Sequence, residues 1–242
     1  MLSSDKKCNC PKLGVIEFKG MSLPAFCLAS SSPRRQEMIT WLGISFHVQP
    51  ASLDEAPRDG EPPDDYVWRL AGEKAFAIKK LNCPGELVLA ADTTVVDDGN
   101  ILGKPTSPAN AVDMLRKLRG HIHQVYTAIA IFDKGREILE KDFCCTDVPM
   151  RNYSNLEIER YVDSGDPLDK AGAYAIQHPG FHPVENFTGC FASVMGLPLC
   201  HLKRTLRKMG YTVDHDTAEI CLQNLGYKCP IFQKVLDGVP GK

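Results

Sequence analysis

A short, continuous apolar run constrains the fold more than any other part of this sequence. It covers residues 87–91 and follows the turn-forming pair Pro84-Gly85, which is typical of a β-strand buried on both faces. Asp92 comes directly after the run. Because an ionised carboxylate in a core is costly without a cation, a metal or hydrogen-bond donors, Asp92 needs a partner. Either a turn supplies backbone donors to it, or it belongs to a functional site.

A serine-rich turn separates a predicted strand from a predicted helix near the start of the chain. The strand covers residues 24–29 and the helix covers residues 33–42. The turn ends in Ser32, and the helix begins with a proline followed by Arg34 and Arg35. Free backbone N–H groups at such a helix start bind phosphate, and guanidinium groups suit phosphate oxygens. An ordinary capped helix with two solvated arginines is the alternative interpretation.

Three more charged side chains could contribute to a functional site near Asp92 and the serine-rich turn. Glu55 follows the second predicted strand, which covers residues 44–48. Lys74 lies on the apolar stripe of a helix predicted over residues 62–81, so either its stem passes the edge of the core or its ammonium enters a polar cleft. Lys104 returns towards the strand of Asp92 through a predicted β-hairpin.

The remaining segments continue the alternation of strands and helices. They are a helix from Ser107 to Gly120, a long hairpin over residues 123–132 and 138–150, a helix opened by the capping box Ser154-Asn155-Leu156-Glu157, a short strand closed by Gln177, a strand over 187–194, and helices over 199–209 and 217–225. This order predicts an α/β fold, with a mixed twisted sheet and flanking helices.

Length and charge limit the possible functions. The chain has 242 residues and a formal net charge of −2, so it provides no general basic field for stable nucleic-acid binding. No apolar run approaches the roughly 18 to 20 residues of a membrane span, and the N-terminus lacks the apolar core of a secretory signal. We therefore expect a cytoplasmic protein that does not bind membranes. The expected divisions are a mobile N-terminal extension over 1–22, a main domain over 23–210 and a C-terminal appendage over 211–242.

The sequence contains ten cysteines. Cys27, Cys144 and Cys190 lie in apolar, strand-like runs, where a free cysteine behaves as a small hydrophobic residue. Four others lie near the chain ends, at positions 8, 10, 221 and 229. They could bind zinc only if both ends packed together, and their spacing lacks the two tight knuckles of ordinary structural zinc sites. We expect free thiols there, with zinc as the alternative.

Six short motifs occur in order along the main domain. They are Leu28-Ala29-Ser30-Ser31-Ser32-Pro33-Arg34-Arg35, Leu53-Asp54-Glu55, Glu73-Lys74-Ala75, Ala91-Asp92-Thr93, Leu102-Gly103-Lys104-Pro105 and Asp169-Lys170-Ala171-Gly172-Ala173-Tyr174-Ala175-Ile176-Gln177. Together they resemble the Maf family of nucleoside triphosphate pyrophosphatases. The resemblance implies a two-lobed α/β fold similar to the inosine triphosphate pyrophosphatases, a divalent metal and often a homodimer. It also implies hydrolysis of a non-canonical or surplus nucleotide to the monophosphate and pyrophosphate.

The chemistry of this reaction accounts for the residue types. Water that attacks phosphorus needs cations, a metal and a carboxylate that orients or deprotonates it. The predicted phosphate cations are Arg34, Arg35, Lys74 and Lys104. Glu55 and Asp92 are the predicted oxygen ligands of Mg²⁺ or Mn²⁺. The resemblance implies that Asp92 is the general base, and a water held between Asp92 and the metal would reconcile its two roles.

Substrate choice depends on fewer residues. Ser32 and Thr93 are assigned to substrate binding together with Lys170 and Gln177, and the last two resemble those of the dTTP/UTP pyrophosphatase subgroup. A glutamine carboxamide offers both a donor and an acceptor to the imide edge of thymine or uracil. Residues 178–186 depart from the glycine-rich link that the family pattern predicts, so a 7-methyl-GTP or other modified-nucleotide pyrophosphatase is the alternative. A cell-division regulatory interaction protein is the alternative from another class.

Overall fold

The computed structural model of this chain describes residues 21–238. The strands are β1 (Phe26–Leu28), β2 (Phe46–Val48), β3 (Leu87–Asp97), β4 (Asn100–Leu102), β5 (Ile122–Asp133) and β6 (Ile138–Pro149). The helices are α1 (Pro33–Trp41), α2 (Pro63–Lys79), α3 (Pro108–Leu118), α4 (Asn155–Asp163), α5 (Phe191–Met195), α6 (Leu199–Lys208), α7 (Thr217–Leu225) and α8 (Phe232–Leu236). Residues 1–20 of the predicted N-terminal extension, which include Cys8 and Cys10, lie outside the described residues.

The strands of the described region form one mixed sheet in the order β2-β1-β3-β5-β6, with β4 paired to β3. β3 runs parallel to β1, where Leu28 pairs with Leu89, and antiparallel to β5, where Asp92 pairs with Ala128. The α/β fold class predicted from the sequence is therefore confirmed.

Packing on both faces of the sheet explains why the sequence of β3 begins with a continuous apolar run. On one face, Val67 and Ala71 of α2 pack against Val88 and Ala90 of β3. On the other face, Leu87 and Leu89 join the main core with side chains from α1, α3 and α6. At about 25 cal/mol per Å² of buried apolar surface, this two-sided packing is the main stabilising contribution to the fold.

The helix boundaries follow local sequence signals. Ser107 accepts a hydrogen bond from the backbone N–H of Asn110 at the start of α3, and Ser154 and Glu157 form the predicted capping box of α4. Within residues 21–238, no helix combines the length and the apolar character that crossing a membrane requires.

Two predicted strands are wrong. Residues 187–190 form no strand, and helix α5 (Phe191–Met195) follows them and ends at Gly196, which has a φ of 112°. The prediction failed because a short apolar run does not distinguish a strand from a buried helix. Gln177 closes no strand. The residues before it form 3₁₀ turns over Asp166–Asp169 and Ala171–Ala173, and the φ of 68° at Gly172 is incompatible with an extended segment.

The C-terminal segment packs against the main domain. Cys221 of α7 is buried in the main core, and Val235 of the unpredicted helix α8 is also buried. Arg204 of α6 donates a hydrogen bond to the backbone carbonyl of Val235 at 2.9 Å. Residues 211–238 therefore share the core of the preceding domain.

The expectation that Cys27 is a free thiol is wrong. Cys27 of β1 forms a disulfide with Cys83, which follows α2, because the chain brings the two Cα atoms to 6.1 Å. Cys144, Cys190 and Cys221 are free and buried, as small hydrophobic residues are, although Cys190 precedes a helix and does not lie in a strand.

We expect a buried histidine to make the stability of the fold dependent on pH. Burial lowers the pKa of His123 from 6.5 to about 4, and its Nε2 lies 2.8 Å from the hydroxyl of Tyr174. Between about pH 4 and pH 6.5, His123 therefore binds a proton in the unfolded chain but not in the folded chain. We expect the free energy of unfolding to fall by roughly 2 kcal/mol on this account from about pH 7 to about pH 4.5.

Urea unfolding of the wild type and His123→Gln at both pH values measures this contribution. As the pH falls, the free energy of unfolding of the wild type should decrease more than that of His123→Gln. His47→Gln, at an exposed position of β2, is the matched control and should run parallel to the wild type. Parallel behaviour of His123→Gln would contradict the assignment.

Candidate active site

One open cleft of about 610 Å³ lies at the carboxyl ends of β1 and β2 and beside the middle of β3. Its lining includes all ten residues that the sequence analysis selected, namely Ser32, Arg34, Arg35, Glu55, Lys74, Asp92, Thr93, Lys104, Lys170 and Gln177. These residues come from six separate motifs, so the fold brings them together as the motif pattern predicts. Their individual roles stay predictions.

The ammonium of Lys74 joins the two carboxylates of the cleft. Its Nζ lies 2.6 Å from Oδ1 of Asp92 and 2.9 Å from Oε1 of Glu55. Lys74 and Asp92 are buried, whereas Glu55 is exposed. The buried carboxylate thus obtains a cation as its partner, and the Lys74 ammonium enters the cleft instead of passing the edge of the core.

A network of arginines and glutamates braces the loop that carries Glu55. Arg69 of α2 makes two hydrogen bonds to Glu61, at 2.5 and 2.7 Å, and one to Glu73 at 3.0 Å. This pairing with Arg69 lowers the pKa of Glu61 to about 2. Arg69 also reaches the carbonyl of Ala56 at 3.3 Å. The loop next to Glu55 is therefore fixed to the same helix that carries Lys74.

Arg35 holds three segments of the chain together. Its Nε donates to the carbonyl of Gly196 at 2.8 Å, its Nη2 to the hydroxyl of Thr93 at 3.1 Å, and its Nη1 to the hydroxyl of Ser30 at 3.3 Å. Burial lowers the pKa of the Arg35 guanidinium, and the Asp92 carboxylate opposes this effect. Because protein acceptors engage these donors, Arg35 acts as a structural clamp in this geometry.

Thr93 continues this arrangement into the core. The hydroxyl of Thr127 donates to the carbonyl of Ser193 at 2.9 Å and lies 3.0 Å from the hydroxyl of Thr93. Since the Thr127 proton is used, Thr93 donates to Thr127 and accepts from Arg35. The cleft is thereby tied to α5 through a short chain of hydrogen bonds.

The turn before α1 presents backbone donors to the cleft. Ser32 makes no side-chain cap to the helix, and a proline occupies the first helical position. The N–H groups of the first turn thus have no side-chain cap, and the half-buried Arg34 stands beside them. This arrangement provides partial positive charge and a guanidinium for an anion.

The late motif closes the opposite side of the cleft. The backbone N–H of Gly172 donates to the carbonyl of Gly103 at 3.0 Å, which fixes the loop that carries Lys104. Lys170 donates to the carboxylates of Asp166 and Asp169, at 3.0 and 2.7 Å. Lys170 is therefore partly neutralised, whereas Lys104 is exposed at the rim.

Sequence reasoning missed the residues that position this motif. Tyr161 of α4 donates to Asp166 at 2.7 Å and accepts from the backbone N–H of Ala175 at 3.0 Å. Gly196 and Thr127 were also missed, since each contributes to the cleft through contacts distant in sequence. A tyrosine on the apolar face of α4 gave no local signal of this role.

Comparisons with known proteins place the chain among Maf-like relatives. Residues 25–209 match the family described as Maf-like protein. A protein of Anaeromyxobacter dehalogenans strain 2CP-1 named dTTP/UTP pyrophosphatase is 45% identical over 190 residues, which are 78% of this chain and 95% of that protein. A protein of Pelotomaculum thermopropionicum with the same name is 41% identical over 186 residues, 77% of this chain and 97% of its own length.

A solved structure also aligns with this fold. It is the Ham1 protein of Staphylococcus aureus, with 14% sequence identity, a TM-score of 0.41, and coverage of 88% of this chain and 98% of that chain.

The glycine of the late motif provides a test of how the cleft is built. Gly172 has a φ of +68°, and a Cβ there would lie 2.9 Å from Cγ2 of Val95. We expect Gly172→Ala to reduce the free energy of unfolding by about 2 to 4 kcal/mol, because it adds a clash to the backbone strain.

Gly60→Ala is the matched control for this substitution. Gly60 has the same φ of +68°, and apart from Gly60 and its two chain neighbours no heavy atom of the described residues lies within 4 Å of the place that a Cβ would take there. Only the backbone strain of about 1 kcal/mol therefore applies. Urea unfolding of both variants gives the comparison. Equal losses for the two would show that the contact with Val95 does not matter.

Proposed function

Since this chain belongs to the Maf family, we propose that it hydrolyses dTTP and UTP to the monophosphate and pyrophosphate. The observation that carries the proposal is the convergence of all ten motif side chains on one cleft. Relatives named dTTP/UTP pyrophosphatase that align over most of the chain support the same substrates. The names of these relatives favour dTTP and UTP over the alternative of a 7-methyl-GTP pyrophosphatase.

The phosphate groups bind at the start of α1. The backbone donors of its first turn and the side chain of Arg34 lie on one side of the cleft, and Lys104 lies at its rim. Together they offer positive charge from separate elements to the oxygens of a triphosphate. Arg35 contributes by holding Ser30 and Thr93 in place.

The two carboxylates suit a divalent cation. Asp92 and Glu55 approach the same point closely enough to share one ammonium. Mg²⁺ commonly takes one or two carboxylates together with substrate phosphate oxygens. We propose that Asp92 and Glu55 hold Mg²⁺ or Mn²⁺ when substrate is bound. The metal would neutralise charge on the phosphates during hydrolysis.

Asp92 is the group we assign to proton transfer. It is buried at the base of the cleft, where water is limited and a carboxylate can orient one water molecule or accept its proton. Lys74 holds the Asp92 carboxylate through Oδ1, which leaves Oδ2 as the oxygen for this task. Glu55 is exposed and serves better as a ligand than as a base.

We also propose a homodimer, which the family resemblance supports, and a cytoplasmic location, which the sequence analysis predicts. Light scattering coupled to size-exclusion chromatography tests the first. The second must be reconciled with the disulfide between Cys27 and Cys83, because such bonds are rare in reducing compartments. Mass spectrometry of thiol-alkylated protein from cytoplasmic extracts would measure the state of this pair.

Replacement of the proposed base tests the reaction. Asp92→Asn keeps the shape of the side chain and removes its charge and basicity, so we expect turnover of dTTP to fall by about 10²-fold or more. Lys74 retains Glu55 as a partner at 2.9 Å, which limits the loss of stability. Pyrophosphate release measures turnover, and urea unfolding confirms that the variant is folded.

Asp113→Asn, on the exposed face of α3, is the matched control and should retain wild-type turnover. A folded Asp92→Asn protein with more than about a tenth of the wild-type rate would rule out Asp92 as the general base.

Chelation tests the metal. We expect treatment with EDTA to abolish pyrophosphate release and added Mg²⁺ or Mn²⁺ to restore it, because phosphate charge near two carboxylates needs a cation. Glu55→Gln should raise the metal concentration required for half-maximal rate. Full activity in excess chelator would refute the metal proposal without affecting the assignment of the substrate.

A further inference from the structure

A second cavity of about 520 Å³ opens beside the cleft. Its walls carry the aromatic and C-terminal side chains Trp41, Phe187, Phe191, Asn224, Leu225 and Tyr227, and we call it the aromatic pocket. Ile176, Gln177 and Met195 line both the aromatic pocket and the cleft. The two cavities are therefore neighbours that share one wall.

The chemistry of the aromatic pocket suits a flat heterocycle. Aromatic side chains stack on bases through their faces. Two carboxamides, those of Gln177 and Asn224, lie on its walls. The Nδ2 of Asn224 donates to the carbonyl of Ile220 at 2.9 Å, which leaves its Oδ1 and one N–H for a ligand. The imide edge of thymine or uracil presents the matching donor and acceptors.

The C-terminal wall of the pocket is fixed to the main domain. The hydroxyl of Tyr227 donates to the carbonyls of Gly189 and Phe187, at 3.1 and 3.3 Å. Its ring centroid lies 5.4 Å from that of Phe187 and 5.7 Å from that of Phe191. These contacts hold the end of α7, with Asn224, against the turn that precedes α5.

The wall also lies outside the part of the chain that the family match covers. That match ends at residue 209, whereas Asn224, Leu225 and Tyr227 follow it in the C-terminal segment. If these residues contact a ligand, the C-terminal segment supplies a part of the binding site that the Maf-like domain itself does not contain.

We propose that the aromatic pocket binds the pyrimidine base of the nucleotide and that Asn224 is a specificity-determining residue within it. This inference rests on the proposed function. The phosphates occupy the cleft, Gln177 lies where the two cavities meet, and the base lies between the aromatic side chains and the end of α7. The carboxamide of Asn224 donates to a carbonyl of thymine or uracil and accepts from the ring N–H.

A filling substitution tests the location of the base. Asn224 is exposed at the end of α7, so Asn224→Trp can be accommodated while its indole occupies the pocket. Calorimetry with dTMP and with inorganic pyrophosphate separates the base from the phosphates. We expect the dissociation constant of dTMP to rise by about tenfold or more and that of pyrophosphate to change by less than about twofold.

Gln223→Trp is the matched control, because Gln223 is exposed on the same helix and pairs only with Glu219 in the described structure. It should bind both ligands as the wild type does. Unchanged dTMP binding by Asn224→Trp would overturn the pocket assignment. If the wild type released no pyrophosphate from any nucleoside triphosphate, the proposed function would fail instead.

An isosteric substitution tests specificity and remains informative if the tryptophan disturbs the fold. Asn224→Asp loses its donor and places negative charge near the carbonyls of thymine, whereas cytosine presents an amino donor to the same position. We expect the ratio of kcat/KM for dTTP to kcat/KM for dCTP to fall by about tenfold. An unchanged ratio would overturn the role of Asn224.

Discussion

The cleft depends on one ammonium group placed between two carboxylates. Lys74 reaches Asp92 and Glu55 from the middle of α2, and α2 covers the face of the sheet that β3 crosses. A buried ion pair of this kind is weak evidence for stability, because desolvation offsets much of the Coulomb attraction. Its consequence is positional: without Lys74, the charge on Asp92 would be buried and uncompensated at the base of the cleft.

Arg35 supplies the second constraint, and the two constraints act on neighbouring residues of β3. Lys74 fixes Asp92, while Arg35 fixes Thr93 and connects it to Ser30 and Gly196. The positive φ of Gly196 lets its carbonyl meet Arg35, and a Cβ there would lie 3.3 Å from the Arg35 Nε. Arg35 thus orders the elements that line the cleft with three of its five N–H groups.

The parts of this fold that the sequence predicts well are those with local causes. The buried strand β3, the capping box of α4 and the proline-led starts of α1 and α3 each follow from residues adjacent in the chain. The motifs also predicted which side chains line the cleft, because the resemblance covers the whole domain. The 3₁₀ turns before Gln177 and helix α5 were missed, since their conformations depend on glycine φ angles and on packing.

Long-range contacts explain the other omissions. The partner of Cys27 is set by where α2 ends relative to β1, and the acceptor of Arg35 at Gly196 is 161 positions away in sequence. Neither relation leaves a periodic signal. The same holds for the aromatic pocket, whose walls combine α1, the turn before α5 and the end of α7.

The C-terminal segment contributes to the aromatic pocket and not to the cleft that holds the motif side chains. Asp92 and Lys74 are buried on β3 and α2, and Glu55 lies on a loop that Arg69 fixes to α2. Asn224 and Tyr227 lie on a helix and a turn that the buried Cys221 and the hydroxyl of Tyr227 join to the core. Substitutions at this wall alter the shape of the aromatic pocket. The carboxylates and the ammonium keep their geometry, because only the residues that line both cavities lie between them and the wall.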